Sequence, residues 1–260
     1  MPFASIGQLD VYYEQYGDGP PLLIISGTGG DLRTSAPQIW PLNDHFSCCY
    51  YDQRGLGQTT QPARPYSMAD YADDAAGLLD HLGWDRAAVL GISFGGMVAQ
   101  NLVVRHPERV DRLVLACTSA GGAGGSSADL LALARMEPTE ATPRRMLLMD
   151  TRYDADSPDD VTGLRAFMEQ QSAQAHSLTN GEWGQLEARG EHDVWDHLEA
   201  VETPTLVIGG RYDGISPPAN LDAIAGRIPE ARLHFCDGGH LFLLQDPSAW
   251  PAIIEFLGDG

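Results

Sequence analysis

The sequence predicts an α/β domain built on a mostly parallel sheet, and three patterns in its 260 residues carry that prediction. Short β-rich runs recur at residues 9–14, 21–26, 46–51, 87–92, 112–117, 205–208 and 232–236, and segments of helical periodicity lie between several of them, at 68–82, 96–105, 221–228 and 250–257. Strands that alternate with helices need crossover connections, so neighbouring strands run parallel. The runs Leu22-Leu23-Ile24-Ile25 and Leu206-Val207-Ile208 are continuously apolar, as a strand buried on both faces must be, and are assigned to the middle of the sheet. The alternation stops between Gly121 and Ala200, where a Gly/Ser-rich entry at 121–127 leads into amphipathic helical segments without a strand. The chain therefore divides into a first core part (1–120), a helical insertion (121–200) and a second core part (201–260).

Composition narrows the chemistry. A content of 43% apolar residues suffices for one large core, and the net charge of −20 argues against partners such as nucleic acid or an anionic membrane surface, which need a basic patch. All 16 basic residues are arginines, so Schiff-base and P-loop lysine chemistry is excluded. Cys48, Cys49, Cys117 and Cys236 each sit in an apolar run with no C-x-x-C pair, and read as buried free thiols. The N-terminus lacks a basic start and an apolar stretch, and no segment has the length of a membrane span; a cytoplasmic protein is the expectation.

Within the first core part, Gly91-Ile92-Ser93-Phe94-Gly95 follows the run Ala87-Ala88-Val89-Leu90 and precedes a helical stretch. A lone serine thus sits where a strand turns sharply into a helix, as in a nucleophile elbow. A serine hydroxyl is a weak nucleophile until a base and a set of oxyanion donors are placed beside it. The expected order is serine, then acid, then histidine, each in a loop after a strand. Asp213 follows the 205–208 run within Gly209-Gly210-Arg211-Tyr212-Asp213-Gly214, and His240 follows the 232–236 run within Asp237-Gly238-Gly239-His240. Parallel strands bring these loops to one edge of the sheet. Either residue alone reads as a turn aspartate or a surface histidine; their placement in order beside the elbow makes them candidates. The rival acid position after the 112–117 run offers only Thr118 and Ser119. The oxyanion donors are assigned to the amides of Phe94, which follows the serine, and of Thr28, in the loop Ser26-Gly27-Thr28-Gly29-Gly30-Asp31. That loop lacks the G-x-G-x-x-G spacing of a dinucleotide site.

These segments, with Asp52-Gln53-Arg54-Gly55-Leu56-Gly57 and His106-Pro107-Glu108-Arg109-Val110, resemble the α/β-hydrolase superfamily from end to end, most closely its bacterial esterase and 3-oxoadipate enol-lactonase branch. The resemblance implies an α/β-hydrolase fold, with helices on both faces of an eight-stranded, mostly parallel sheet and a helical cap corresponding to 121–200. It implies no metal and no organic cofactor, and leaves a homodimer open. Ser26 stands where many relatives carry histidine, and Thr28 and Leu241 depart from the pattern of meta-cleavage C–C hydrolases. Serine at 93 disfavours the dehalogenase and epoxide-hydrolase branches, which use aspartate.

The expected activity is hydrolysis of a small-molecule carboxylic ester or lactone through Ser93, Asp213 and His240. C–C hydrolysis, lyase or cofactor-free perhydrolase chemistry on the same triad, or a ligand receptor that keeps it, are the alternatives. Substrate contacts are assigned to the insertion, with Trp183, Met149 and Phe167 as apolar candidates. Arg165 is the candidate for a substrate carboxylate, alongside Arg144, Arg145 and Arg152.

Overall fold

Alternate side chains of the run at 22–25 enter two different cores, and this sets the layering of the molecule. Leu23 and Ile25 join Cys49, Tyr51, Val89, Leu113, Leu115 and Val207 on one face, while Leu22 and Ile24 join Cys48, Tyr50, Leu90, Val114, Leu206 and Ile208 on the other. Period-two alternation with both faces apolar is what a strand covered on both sides requires. At roughly 1.5–3 kcal/mol for each fully buried aliphatic side chain, these strands are the main source of cohesion.

In the computed structural model, which describes residues 2–32, 40–156, 162–164 and 177–259, eight strands form one sheet. They are β1 (Phe3–Ile6), β2 (Leu9–Tyr16), β3 (Pro21–Ile25), β4 (Ser47–Tyr51), β5 (Ala87–Ile92), β6 (Val110–Ala116), β7 (Thr205–Gly210) and β8 (Arg232–Cys236), in the spatial order β1-β2-β4-β3-β5-β6-β7-β8. From β4 onward across the sheet the pairings are parallel; β1 and β2 join antiparallel at one edge. β1 is absent from the runs read in the sequence. It has four residues of which only Ala4 is buried, too short for alternation to register, and it exists by pairing with β2 through a tight turn at Gly7.

Helices α1 (Met68–Leu82), α2 (Phe94–Arg105) and α6 (Pro218–Arg227) cover the first face, and α8 (Ala249–Gly258) covers the second. α1 begins with a capping box in which Ser67 and Asp70 satisfy each other's backbone amides, and it ends at Gly83 in the left-handed region with φ 69°. Between β6 and β7 the described residues include α3 (Leu130–Ala134), α4 (Pro138–Met149) and α5 (Asn180–Gly190), and no strand occurs among them. α5 carries its own capping box, Thr179 with Glu182. A short helix α7 (Phe242–Gln245) follows β8. No helix among the described residues is long and apolar enough to cross a membrane.

Candidate active site

The site begins where β5 ends. The sequence places the following helix from Gly96; in the structure it starts at Phe94, directly after Ser93, so one residue makes the whole turn. Ser93 does so with φ 56° and ψ −113°, a conformation costly for a side-chain-bearing residue. The strain is held from outside. The Ser93 amide donates to the Ala116 carbonyl at 2.8 Å, and the Thr118 hydroxyl donates to the Ser93 carbonyl at 2.8 Å. The two flanking glycines are required by close approach: a Cβ on Gly91 would lie 2.4 Å from the Gly95 carbonyl oxygen, and one on Gly95 would lie 2.0 Å from the Ile25 carbonyl oxygen.

The residues the sequence places after β7 and β8 converge on this serine. His240 Nε2 lies 2.9 Å from Ser93 Oγ, and His240 Nδ1 lies 2.7 Å from Asp213 Oδ2. Asp213 is 2% exposed, and its other oxygen accepts from the Ile215 and Ser216 amides at 2.8 and 2.9 Å. With one oxygen committed to these amides and the other to Nδ1, the carboxylate fixes the ring so that Nε2 faces the hydroxyl. Cys117 Sγ lies within 4.8 Å of this pair, which makes a nominal metal-ligand trio. Burial, reinforced by the Asp213 charge, pushes the thiol well above its usual range. The histidine and aspartate donors are already spent on each other, so the trio is a poor fit for a metal.

The histidine loop is also tied to the helical segment above it. The His240 amide donates to the Met149 carbonyl at 2.6 Å, and the Gly214 amide donates to the Leu148 carbonyl at 2.9 Å. Behind them, the Gln245 side chain accepts from the Gly239 amide at 2.7 Å and donates to Asp150 at 3.0 Å. Asp150 is fully buried and receives three hydrogen bonds from Arg152, one from its amide and two from its guanidinium. Burial raises the Asp150 carboxyl, but these bonds from Arg152 and Gln245 outweigh it and hold the group below its usual value. Arg152 in turn stacks on the Tyr212 ring at 4.0 Å.

On the opposite side of Ser93 lies the loop after β3. Gly27 packs on the serine, since a Cβ there would be 3.5 Å from Ser93 Cβ. Gln53 braces the loop by donating to the Ser26 carbonyl at 2.8 Å, and the Ser26 hydroxyl closes it by donating to the Gly30 carbonyl at 2.8 Å. Among the described residues the Thr28 and Phe94 amides have no hydrogen-bond acceptor, whereas the Gly29 amide is taken by Gln185 Oε1 at 2.8 Å. One face of α5, with Glu182, Gln185 and Arg189 at helical spacing, lies against this loop.

A strained serine between close-packed glycines, a histidine on its hydroxyl, an acid on the histidine and a parallel sheet beneath them correspond to a known family. Its description is the alpha/beta hydrolase fold, and its profile matches residues 20–247. The chain belongs to the alpha/beta hydrolase family. Among curated members it is similar to a poly(3-hydroxyalkanoate) depolymerase of Ectopseudomonas oleovorans, 32% identical over 91% of this chain and 84% of that one. It is also similar to 3-oxoadipate enol-lactonase 2 of Acinetobacter baylyi, 28% identical over 98% of this chain and 91% of that one. The solved enol-lactonase of Burkholderia xenovorans superposes with a TM-score of 0.81 at 26% identity, covering 99% of this chain and 100% of that one.

As an alpha/beta hydrolase the chain has the sheet the sequence predicts, and Ser93, Asp213 and His240 meet within hydrogen-bond distance. The substrate-binding candidates fare differently. Arg165 and Phe167 lie outside the described residues. Trp183 is half-buried on α5, with no hydrogen bond or ring contact to the triad. Met149 reaches the site through its backbone carbonyl. Arg144 and Arg145 are exposed, and Arg152 is occupied by Asp150 and Asp237. Among the described residues, the arginine that reaches the loop after β3 is Arg189, which the sequence reading passes over. The polar row Glu182, Gln185, Arg189 was its available signal.

Proposed function

We propose that the protein is a serine hydrolase that cleaves a small carboxylic ester or lactone through an acyl-enzyme. The single observation that carries this reading is the unbroken chain from Ser93 Oγ to His240 Nε2 at 2.9 Å and from Nδ1 to Asp213 at 2.7 Å. Such a chain lets the imidazole accept the hydroxyl proton as the oxygen attacks, while the buried carboxylate stabilises the imidazolium. The bond from Ser93 Oγ to the carbonyl carbon forms, and the negative charge moves to the carbonyl oxygen between the Thr28 and Phe94 amides. Collapse of this intermediate breaks the bond to the leaving oxygen, which takes the proton from His240. A water molecule then repeats the sequence in reverse roles, giving up its proton to His240 and releasing the acid. No metal or organic cofactor takes part in this scheme.

The names of the enol-lactonase and depolymerase relatives favour the ester or lactone over the other reactions the same triad performs. The test is a fluorophosphonate probe followed by peptide mass spectrometry. Labelling confined to Ser93, abolished in His240→Ala, is the expected result; an unlabelled native protein would overturn the reading in favour of a receptor on the same scaffold.

A further inference from the structure

Arg189 is 7% exposed, and no carboxylate lies within ion-pair distance of it among the described residues. Its guanidinium donates to two neutral oxygens, Thr28 Oγ1 at 3.2 Å and Ser127 Oγ at 2.7 Å. Among the described residues its Nε is buried with no acceptor, and so is Nε2 of Gln185, one turn earlier on the same face of α5. Asp129 and Asp213 act on it only from beyond contact distance. Burial pushes the guanidinium down to about 10, which still leaves it charged at neutral pH. A buried cation whose partners are only neutral oxygens is costly, because they offset its lost hydration less well than a carboxylate would. Among the other described arginines, Arg54, Arg64, Arg86, Arg105, Arg109, Arg152, Arg227 and Arg232 hold carboxylates, Arg135, Arg144, Arg145 and Arg211 are exposed, and the half-buried Arg112 donates to backbone carbonyls.

We propose that Arg189, with Gln185 beside it, forms an anion subsite next to the oxyanion loop that selects substrates carrying a free carboxylate. The position follows from the contacts, since Arg189 touches Thr28, and Gly27 before it packs on Ser93. The Thr28 and Ser127 hydroxyls each accept from Arg189 and keep their own hydrogen to donate to an incoming anion. A carboxylate there adds a planar, charge-assisted partner for the unsatisfied Nε and Nη donors. The neighbouring reactive carbonyl then lies between the Thr28 and Phe94 amides. The inference rests on the serine-hydrolase reading for the reaction, but the binding of the anion does not depend on it.

Two measurements separate the claims. In the first, kcat/KM is compared for monomethyl glutarate and dimethyl glutarate. The native protein is expected to prefer the anionic monoester by tenfold or more, Arg189→Met to lose that preference to within twofold, and Arg189→Lys to restore part of it. Equal loss on both esters, with the ratio unchanged, overturns the subsite and leaves Arg189 as a brace for the Thr28 loop. In the second, glutarate itself is titrated calorimetrically into the native protein and into Arg189→Met. Saturable binding that disappears in the variant upholds the subsite even if neither ester is hydrolysed, an outcome that would defeat only the hydrolase reading. Absence of binding to the native protein, together with no preference between the esters, overturns the proposal.

Discussion

Ser93 is held by backbone packed against backbone, whereas His240 is held by side chains and carbonyls reaching in from the segment above the sheet. At the elbow, Gly91 and Gly95 bring β5, α2 and β3 so close that a single methyl group would collide with a carbonyl oxygen. At the histidine loop the His240 amide donates to the Met149 carbonyl, the Gly239 amide donates to Gln245 and Gln245 donates to Asp150, while a Cβ on Gly239 would lie 2.1 Å from the Met149 carbonyl oxygen. Both regions are short of space at their glycines, but the histidine loop also depends on side-chain hydrogen bonds that can be weakened one at a time. A site built this way has a rigidly held serine and a histidine whose alignment depends on the segments packed over it.

The sharpest separation of chemistry from scaffold is Ser93→Ala. Removing the hydroxyl deletes the proposed nucleophile but none of the bonds that hold the turn, because those use the Ser93 amide and carbonyl. Turnover of a susceptible ester is expected to fall roughly 10⁴-fold or more, with the melting temperature nearly unchanged. A large drop in melting temperature would mean that the hydroxyl is part of the scaffold after all.

Gly95→Ala tests the rigid region directly. The new Cβ would meet the Ile25 carbonyl oxygen at 2.0 Å, and the backbone has no room to yield between two buried strands. Overpacking of this kind costs about 2–3 kcal/mol, which lowers the melting temperature by roughly 5–10 °C in a domain of this size. Activity should fall with it, since Phe94 and its amide move when α2 is pushed off β3. A variant as stable and active as the native protein would show that the close packing is incidental.

How much of this was legible in the sequence divides along the same line. The elbow is written in adjacent residues, the strand before Asp213 announces itself by the continuous apolar run 206–208, and a short β-rich run precedes His240, so three distant residues are placed on one edge from the sequence. The sequence reading starts α2 at Gly96, two residues late, because the pentapeptide ending at Gly95 is taken as the turn. The glycines are there for contact with β3 and with Thr118, and the helix runs through them. The upper segments were hard to read for another reason. Met149 acts through its carbonyl, to which its side-chain type gives no clue. A polar row such as Glu182, Gln185 and Arg189 usually faces solvent, and only its contact with residues 28 and 29 reveals that it is buried.

Asp150→Asn probes the graded region. It keeps the shape of the side chain but removes the charge that Arg152 and Gln245 hold, at an expected cost of about 1–3 kcal/mol, toward the lower end because Arg152 is 28% exposed. With its carboxyl held below the ordinary value in the folded state, Asp150 contributes stability that is complete above the ordinary carboxylate range. That contribution is lost as pH falls through the depressed folded value. The acid limb of a plot of melting temperature against pH should therefore be shallower in Asp150→Asn, and kcat should drop several-fold while KM moves less, as the histidine loop loosens. An identical acid limb in the two proteins would remove Asp150 from the account.

The smallest effect is expected at Gly190→Ala, and it discriminates between glycine kept for contact and glycine kept for none. Gly190 closes α5, has no neighbour among the described residues within 4 Å of its missing Cβ, and does not occupy the left-handed region. Alanine there adds helix propensity and removes unfolded-state freedom without displacing anything, for a gain of roughly 0.4–1 kcal/mol. Because Arg189 is the preceding residue, a stiffer end to α5 should leave the position of its guanidinium unchanged, and ester turnover should stay within about twofold. A loss of stability at this open position, comparable to that at Gly95, would break the contrast between glycines kept for contact and a glycine kept for none, since methyl groups would then be unwelcome whether or not space exists for them.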